Sequence, residues 1–491
     1  MRRELAVNAT PPETRVALLE DGRTVEVLHE RHGRQGLVGN VYLGRVHRVL
    51  PGMHAAFLAI GLDRDAFLYV QDVLPRRVEA DGEEKEDLSA ALEPPRIEEL
   101  LREGQDLVIQ VTKDPLSGKG PRVTANIALP GRLLVCLPGA RGVGVSRRIT
   151  DDAERERLRA ILEGFPPGSG WIARTAAQGC GVEDFLADRA YLEDLGARIR
   201  RKAENGGAPL LLHRELDLPL RAIRDLVAPD FDAIVVDDAG VRDRIVEFLS
   251  EAAPGLAGRV ELDEGSQPLF SRLGVEEEIE NALKNRVALS SGGSVVIQQT
   301  EALVAIDVNT GKFVGSGALE ETVFATNLEA VGEVARQIRL RDLGGILVVD
   351  FIDMEDLEHR REVFEAFERE LARDRARTRL LQISEFGLVE VTRQRTRGNL
   401  ERTLTRACPC CNGSGRVKTD LTVALDLRRD LLAGSALYAA GETVRLKVRS
   451  SLAHMLIQEE SGLLSEIETR LGIRLELLED DTLLPTEYEI L

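Results

Sequence analysis

The segments GSVVIQQTEALVAIDVN (residues 293–309) and GILVVD (residues 345–350) decide the fold. The first reads as two short strands, Gly293–Gln299 and Ala302–Asp307, turning at Thr300-Glu301. The second reads as a buried strand, Ile346–Val349, ending on Asp350. Between them Leu319–Arg341 carries helical periodicity, with Gly344-Gly345 as its stop signal. Glu277–Asn285 and Asp356–Arg373 also read as helices, and this alternation of strand and helix predicts an α/β sheet. Asp307, Asn309 and Asp350 stand at its strand ends. Side chains two apart on a strand share a face, so Asp307 and Asn309 point the same way. The C-terminal ends of strands are where such sheets carry their sites. Two carboxylates and an amide oxygen suit Mg²⁺ or Mn²⁺, and a metal there would polarise a phosphoryl oxygen and acidify a bound water. The competing reading is that strand-end aspartates are helix caps or turn formers.

Outward from this sheet the pattern changes repeatedly. The N-terminal segment as far as Glu30 alternates, with Asp21-Gly22 as a hairpin turn. From Gly39 to Ala125, short strands at 41–46, 56–61, 66–70 and 106–111 with Gly, Pro and Asp turns suggest a small barrel of OB type. The acidic stretch 79–87 reads as a solvated loop within it. Phe57, Phe67 and Tyr69 can stack single-stranded bases and Lys113 and Lys119 can hold phosphates, unless the two phenylalanines belong to the core. Residues 126–215 combine strands with helices at Asp151–Glu163 and Val182–Ala203, and 216–282 is again mixed, with a strand at Ala233–Asp237. In WIARTA (171–176), Arg174 and Thr175 can grip a terminal phosphate by fork and hydroxyl, although two such residues after a strand are commonplace.

Towards the C-terminus, Arg369–Arg406 holds ten Arg against five acidic residues in a chain whose net charge is −19. Arg375, Arg377 and Arg379, then Arg393, Arg395 and Arg397, alternate as they would on one face of an extended segment. A polyanionic substrate matches this local excess, and a solvated face laced with ion pairs is the alternative. The overall acidity excludes coating of nucleic acid by bulk positive charge. CPCCNGSG (408–415) contains a CxxC pair, Cys408 and Cys411, able to reach one Zn²⁺, with Cys410 as a third candidate. One such pair supplies two of the four ligands a structural zinc needs, so a second copy of the chain is the simplest source of the others. A surface thiol pair or a redox motif is the alternative. Five Cys, three of them clustered, are not a disulfide framework. With no apolar leader and no membrane-length run, the expectation is a cytoplasmic protein. The segment that follows the cysteines reads as a small α/β tail.

Together AIDVNTG (305–311), GILVVDFIDM (345–354) and CPCCNGSG resemble the bacterial ribonuclease E/G family. VGNVYLGRV (38–46), LPGMHAAF (50–57) and IARTA (172–176) extend the resemblance over nearly the whole chain. The chain stops after a small domain, which is similar to the family's shorter members. The resemblance implies an α/β multidomain fold: an OB-fold RNA-binding barrel (39–125) inserted in a ribonuclease-H-like subdomain (1–38 and 216–282). It further implies a 5′-phosphate sensor region (126–215), a DNase-I-like catalytic α/β subdomain (283–404), a zinc link (405–416) and a small C-terminal domain (417–491). On the same basis Asp307 and Asp350 are the Mg²⁺-binding catalytic aspartates, with Asn309 assisting. Cys408 and Cys411 share zinc between protomers of a homodimer or homotetramer, and Arg174 and Thr175 sense a 5′-monophosphate. Phe57, Phe67 and Lys113 or Lys119 clamp RNA, and Arg377 contacts RNA beside the metal. The implied activity is endonucleolytic cleavage of single-stranded, A/U-rich RNA, leaving 5′-phosphate and 3′-hydroxyl ends, in ribosomal-precursor processing and messenger decay. A non-catalytic RNA-binding or assembly protein is the rival class, separated from the enzyme by whether the aspartates are needed for cleavage.

Overall fold

Asp21 and Gly22 both take left-handed backbone, φ 49° and 78°, the geometry that closes a tight hairpin between two right-twisted strands. Glu13–Glu20 and Arg23–Arg31 pair across it. Arg3–Asn8 adds antiparallel to the first of them and parallel to Ala233–Val236, which pairs in turn with Val260–Leu262. The resulting five-stranded sheet joins the N-terminal hairpin to strands that come long after it in the chain. Its core packs Leu5, Val7, Val16 and Leu18 against Ile223, Ile245 and Leu249 of flanking helices. A computed structural model describes residues 1–31, 36–79, 81–82, 84–86, 95–115, 119–228, 230–310, 319–381, 388–395 and 399–491. It divides into two units, Met1–Leu400 and Glu401–Leu491.

The barrel forms as the strand spacing predicts. Val41–Leu50, Ala55–Ala59, Ala66–Tyr69, Arg122–Thr124 and Asp106–Lys113 pair in that order, and Val41–Leu50 pairs with Asp106–Lys113 to close the ring. Closure removes the exposed edges of an open sheet. Alternate residues (Val46, Ala56, Leu58, Leu68, Val111, Val123) fill the interior. The acidic stretch is only partly a loop. Arg76–Val78 and Glu84–Glu86 pair as a two-stranded ribbon. Val78 is buried, and its backbone N–H bonds the Arg141 carbonyl of the next region. Residues 80, 83 and 87 of that stretch lie outside the described residues.

Next in the chain, Leu129–Pro130, Leu134–Pro138, Ser169–Ala173 and Val143–Val145 make a four-stranded sheet. Helices Asp152–Glu163 and Val182–Asn205 pack on it over Trp171 and Phe185. The first helix is capped by the Asp151 carboxylate, which accepts the Ala153 N–H.

The sheet that decides the fold has six strands in the order Arg286–Ala288, Ser294–Gln299, Leu303–Asn309, Gly345–Asp350, Leu388–Arg393, Thr378–Leu380. Helices Leu319–Leu340 and Leu357–Leu371 bury one face, over Ile297, Ile306, Leu347, Val349 and Val391. Two local expectations are corrected. Ile346–Val349 is not buried throughout: Ile346 is 51% exposed, because helices cover a single face and the strand alternates. The stop of the long helix is Asp342, left-handed at φ 49°, shortly before Gly345 opens the strand.

The second unit packs helix Asp420–Ala433 and two further helices on a three-stranded sheet built from Thr443–Val448, Arg474–Glu479 and Glu489–Ile490, the small α/β tail expected. No helix among the described residues is long and apolar enough to cross a membrane.

Candidate active site

Leu303–Asn309 and Gly345–Asp350 run parallel, and Asp307 is the direct register partner of Asp350. Adjacent strands lie about 4.8 Å apart, so the two aspartates stand side by side. Both alternate with buried residues and are exposed, which places them together on the face that the helices leave open. The Asn309 amide, on the same face, donates to Asp307 Oδ2 at 2.8 Å. Partial burial, then the negative charges of Asp307 and Asp353, hold the Asp350 carboxyl above the usual carboxylate range. Like charges gathered on one open face fit a divalent metal. Mg²⁺ in particular keeps several waters and is bound through one or two carboxylates. Among the described residues no group of three or more His, Cys, Asp or Glu forms a metal cage. Gly311, the last residue of the AIDVNTG run, lies outside the described residues.

The loop after Asp350 is held by residues that the sequence did not flag. Asn327, fully buried on the long helix, donates to the Ile352 carbonyl at 2.8 Å and accepts the Ile352 N–H at 3.1 Å. Glu320 accepts the N–H groups of Glu355 and Asp356, both at 3.2 Å. A polar residue at a core position of the helical pattern was the only signal for Asn327.

The arginine-rich segment does not act as one surface. Arg375 donates to the carbonyls of Asp225 and Leu226 at 2.7 and 2.5 Å. Arg393 is buried between Asp374 (2.6 Å) and Asp342 (2.5 Å), and Arg395 donates to the Gly344 carbonyl. Arg375 and Arg393 are taken up inside the fold, Arg395 is exposed, and Arg397 lies outside the described residues. Arg377 is exposed, but not beside Asp350. Thr378 aligns through Arg393 with Gly345, at the start of the strand that Asp350 ends. At about 3.3 Å per residue that is roughly 20 Å away. Burial lowers the pKa of the Arg148 guanidinium, with Asp374 acting against it and the charge of Arg377 adding to it, so Arg377 lies within electrostatic reach of Arg148.

Arg148 leads to the Arg174–Thr175 pair: its N–H bonds Ser146 Oγ, which lies 3.2 Å from Thr175 Oγ1. Arg174 donates to the Gly131 carbonyl and to Asp225 Oδ1 at 2.8 Å. Asp225 is also clasped by Arg224, and together these guanidinium groups hold its carboxyl down despite burial. Asp225, remote from Arg174 along the chain, had no local sequence signal.

On the barrel, Phe57 and Phe67 are register partners with ring centroids 5.8 Å apart, edge to face. They are half-buried on the outer surface rather than in the core. Lys113 is exposed at the end of its strand, and Lys119 is exposed in the connection to Arg122–Thr124. In the second unit, the backbone N–H groups of Cys411 and Cys410 converge on the Cys408 sulfur and hold its thiol below the usual range. Such a turn presents thiolates to a metal. Cys408 is exposed, and Cys410 and Cys411 are half-buried. Two of these sulfurs would make half of a tetrahedral zinc site.

Comparisons with known proteins identify the family. The profile of the Ribonuclease E/G family matches residues 128–396, and that of the RNase E/G thioredoxin-like domain matches 407–491. The chain is 44% identical to Ribonuclease G of Escherichia coli K12 over 475 residues, 96% of each chain. It is 42% identical to Ribonuclease G of Haemophilus influenzae, again over 96% of each. Against Ribonuclease E of Escherichia coli K12 the identity is 36%, over all of this chain and 46% of that protein. With two carboxylates in register on an open sheet face and relatives of this similarity along almost its full length, the chain belongs to the ribonuclease E/G family.

Proposed function

We propose that this endoribonuclease hydrolyses single-stranded, A/U-rich RNA at Asp307 and Asp350, with magnesium or manganese as cofactor. The observation that carries the reading is the register pairing of Asp307 with Asp350 on the open face of the sheet. The two carboxylates hold the cation, and Asn309, braced on Asp307, orients water or the scissile phosphate. A divalent cation bound there supplies Lewis acidity towards a phosphoryl oxygen and lowers the pKa of water. Water adds to phosphorus, the bond to the 3′-oxygen breaks, and that oxygen takes up a proton. The products are a 5′-phosphate and a 3′-hydroxyl. We infer roles in ribosomal-precursor processing and messenger decay, in the cytoplasm; relatives named Ribonuclease G and Ribonuclease E support a role in RNA processing.

The remaining assignments follow the same reading. The sheet built from 1–38 and 216–282 forms a ribonuclease-H-like subdomain interrupted by the barrel and the sensor, and 283–404 is a DNase-I-like catalytic subdomain. Phe57, Phe67, Lys113 and Lys119 clamp the single strand, and Arg377 adds charge on the sensor side. Arg174 is braced by Asp225 and Gly131, which leaves further N–H groups of its five for a terminal phosphate. Thr175 adds a hydroxyl. The test is a timed incubation of a single-stranded oligonucleotide bearing a 5′-mono- or 5′-triphosphate, with and without Mg²⁺, and identification of the product ends. The monophosphate is expected to be cut faster by about tenfold, the scale of one charge-assisted pair. Arg174→Ala is expected to bring the two rates together. Equal rates in the unsubstituted enzyme, or an unchanged ratio in Arg174→Ala, would remove the sensor.

Cys408 and Cys411 hold zinc jointly with the same pair from a second copy, within a homodimer or homotetramer. Cys408→Ala is expected to lose bound zinc by elemental analysis and to halve the assembly mass in sedimentation. Retention of mass with loss of zinc would place the protomer contact elsewhere.

A further inference from the structure

Four consecutive pairings in the barrel carry one row of side chains across five strands. Arg48 is the register partner of Phe57, Phe57 of Phe67, Phe67 of Arg122, and Arg122 of Lys113. All five point outward, opposite the alternate residues that fill the barrel. At about 4.8 Å per inter-strand step the row spans roughly 19 Å.

Both ends of the row depend on a β-bulge. On the first strand the register passes from Val46 opposite Leu58 to Arg48 opposite Phe57, with His47 as the extra residue. On the last strand it passes from Val111 opposite Val123 to Lys113 opposite Arg122, with Thr112 as the extra residue. Without the bulges, His47 and Thr112 would stand in the row. A bulge re-aims a side chain at the expense of ladder hydrogen bonds. Two of them, each turning a cation onto the flank of the same aromatic pair, make a built feature. Within the row, Arg122 donates to Asp72 at 2.8 Å, which offsets its charge and fixes it beside Phe67. Arg48 is exposed, on the opposite flank from Lys113.

We propose that Arg48 is an RNA phosphate-binding residue, and that the strand of RNA crosses the barrel perpendicular to its β-strands. Two bases rest on Phe57 and Phe67, with Arg48 and Lys113 gripping the backbone on either side. Aromatic stacking tolerates any base and the flanking cations follow the sugar–phosphate chain. The two-cation flank fixes the direction in which the strand leaves the aromatic pair, which one lysine cannot do. The inference rests on the barrel being the single-strand clamp, and the experiment separates the two.

Binding of a fluorescein-labelled single-stranded RNA decanucleotide to the full chain is followed by anisotropy, without added magnesium, over about 50–300 mM KCl. Arg48→Ala is expected to weaken binding about tenfold and to reduce the slope of log Kd against log salt by about one, the signature of one lost phosphate contact. Arg48→Lys is expected to keep the slope, which a role in folding alone would not predict. Phe57→Ala and Phe67→Ala are expected to weaken binding with the slope unchanged. If the phenylalanine variants bind weakly while Arg48→Ala matches the unsubstituted protein in affinity and slope, Arg48 lies off the RNA path and the inference is overturned. If the phenylalanine variants bind as tightly as the unsubstituted protein, the clamp reading itself falls, and this inference with it.

Discussion

Asp350→Asn is expected to lower the cleavage rate by about 10³-fold or more while leaving RNA affinity within about threefold. Asp307→Asn is expected to do the same, and the double variant to lose little beyond either single one, because the two groups act as a unit. The reason lies in the register pairing of the two residues on adjacent parallel strands. An amide keeps the shape of the carboxylate but removes the charge that holds a divalent cation. Both positions are exposed, so the thermal midpoint should scarcely move, and a rate loss cannot be ascribed to unfolding. Substitution also removes one of the two negative charges that face each other there, so binding of the polyanion should if anything tighten. EDTA should stop the unsubstituted enzyme. Cleavage that persists in EDTA, or in the double variant, would reject the metal mechanism.

The largest expected effect on stability is at Asp188, on the helix Val182–Asn205. Its carboxylate is 1% exposed and accepts the backbone N–H groups of Arg132, Leu133 and Leu134 at 3.0, 2.8 and 2.8 Å. Asp188→Ala would leave three buried donors unsatisfied, a loss of about 3–5 kcal/mol. Asp188→Asn should cost less, since an amide oxygen can still accept. The clamp explains a neighbouring glycine: a Cβ on Gly131 would lie 2.6 Å from both carboxylate oxygens. It also reaches Arg174, because the Gly131 carbonyl accepts from the Arg174 guanidinium and the Leu133 carbonyl accepts the Arg174 N–H. Urea unfolding of Asp188→Ala should show the loss, and amide exchange at residues 132–134 should accelerate. A change below about 1 kcal/mol with unaltered exchange would mean that water replaces the carboxylate at little cost.

Much of the architecture was legible locally. Asp21-Gly22, the short strands of the barrel, the helix Leu319–Leu340 and the antiparallel pair around Thr300-Glu301 all follow from turn chemistry and hydrophobic period, and all are present. The open face of the six-stranded sheet was not legible. Ile346–Val349 is an unbroken apolar run, and such a run carries no mark of how many of its faces helices will cover. The arginines of 369–406 misled for a related reason: alternation showed that they share faces, but not that Arg375 and Arg393 are consumed by carbonyls and carboxylates far along the chain.

Residue type and spacing alone determined which groups are available: carboxylates at strand ends, phenylalanines on short strands, a pair of thiols across a tight turn. These are local properties, set by side-chain chemistry and by backbone periods of 2 and 3.6. Which groups meet was decided by tertiary structure. Asp307 finds Asp350 through strand register, Arg174 finds Asp225 through packing of one region on another, and Arg377 is carried to the far end of the sheet from Asp350. Register and packing are set by the joint burial of apolar faces over the whole chain, a sum over contacts distant in sequence that no single segment contains.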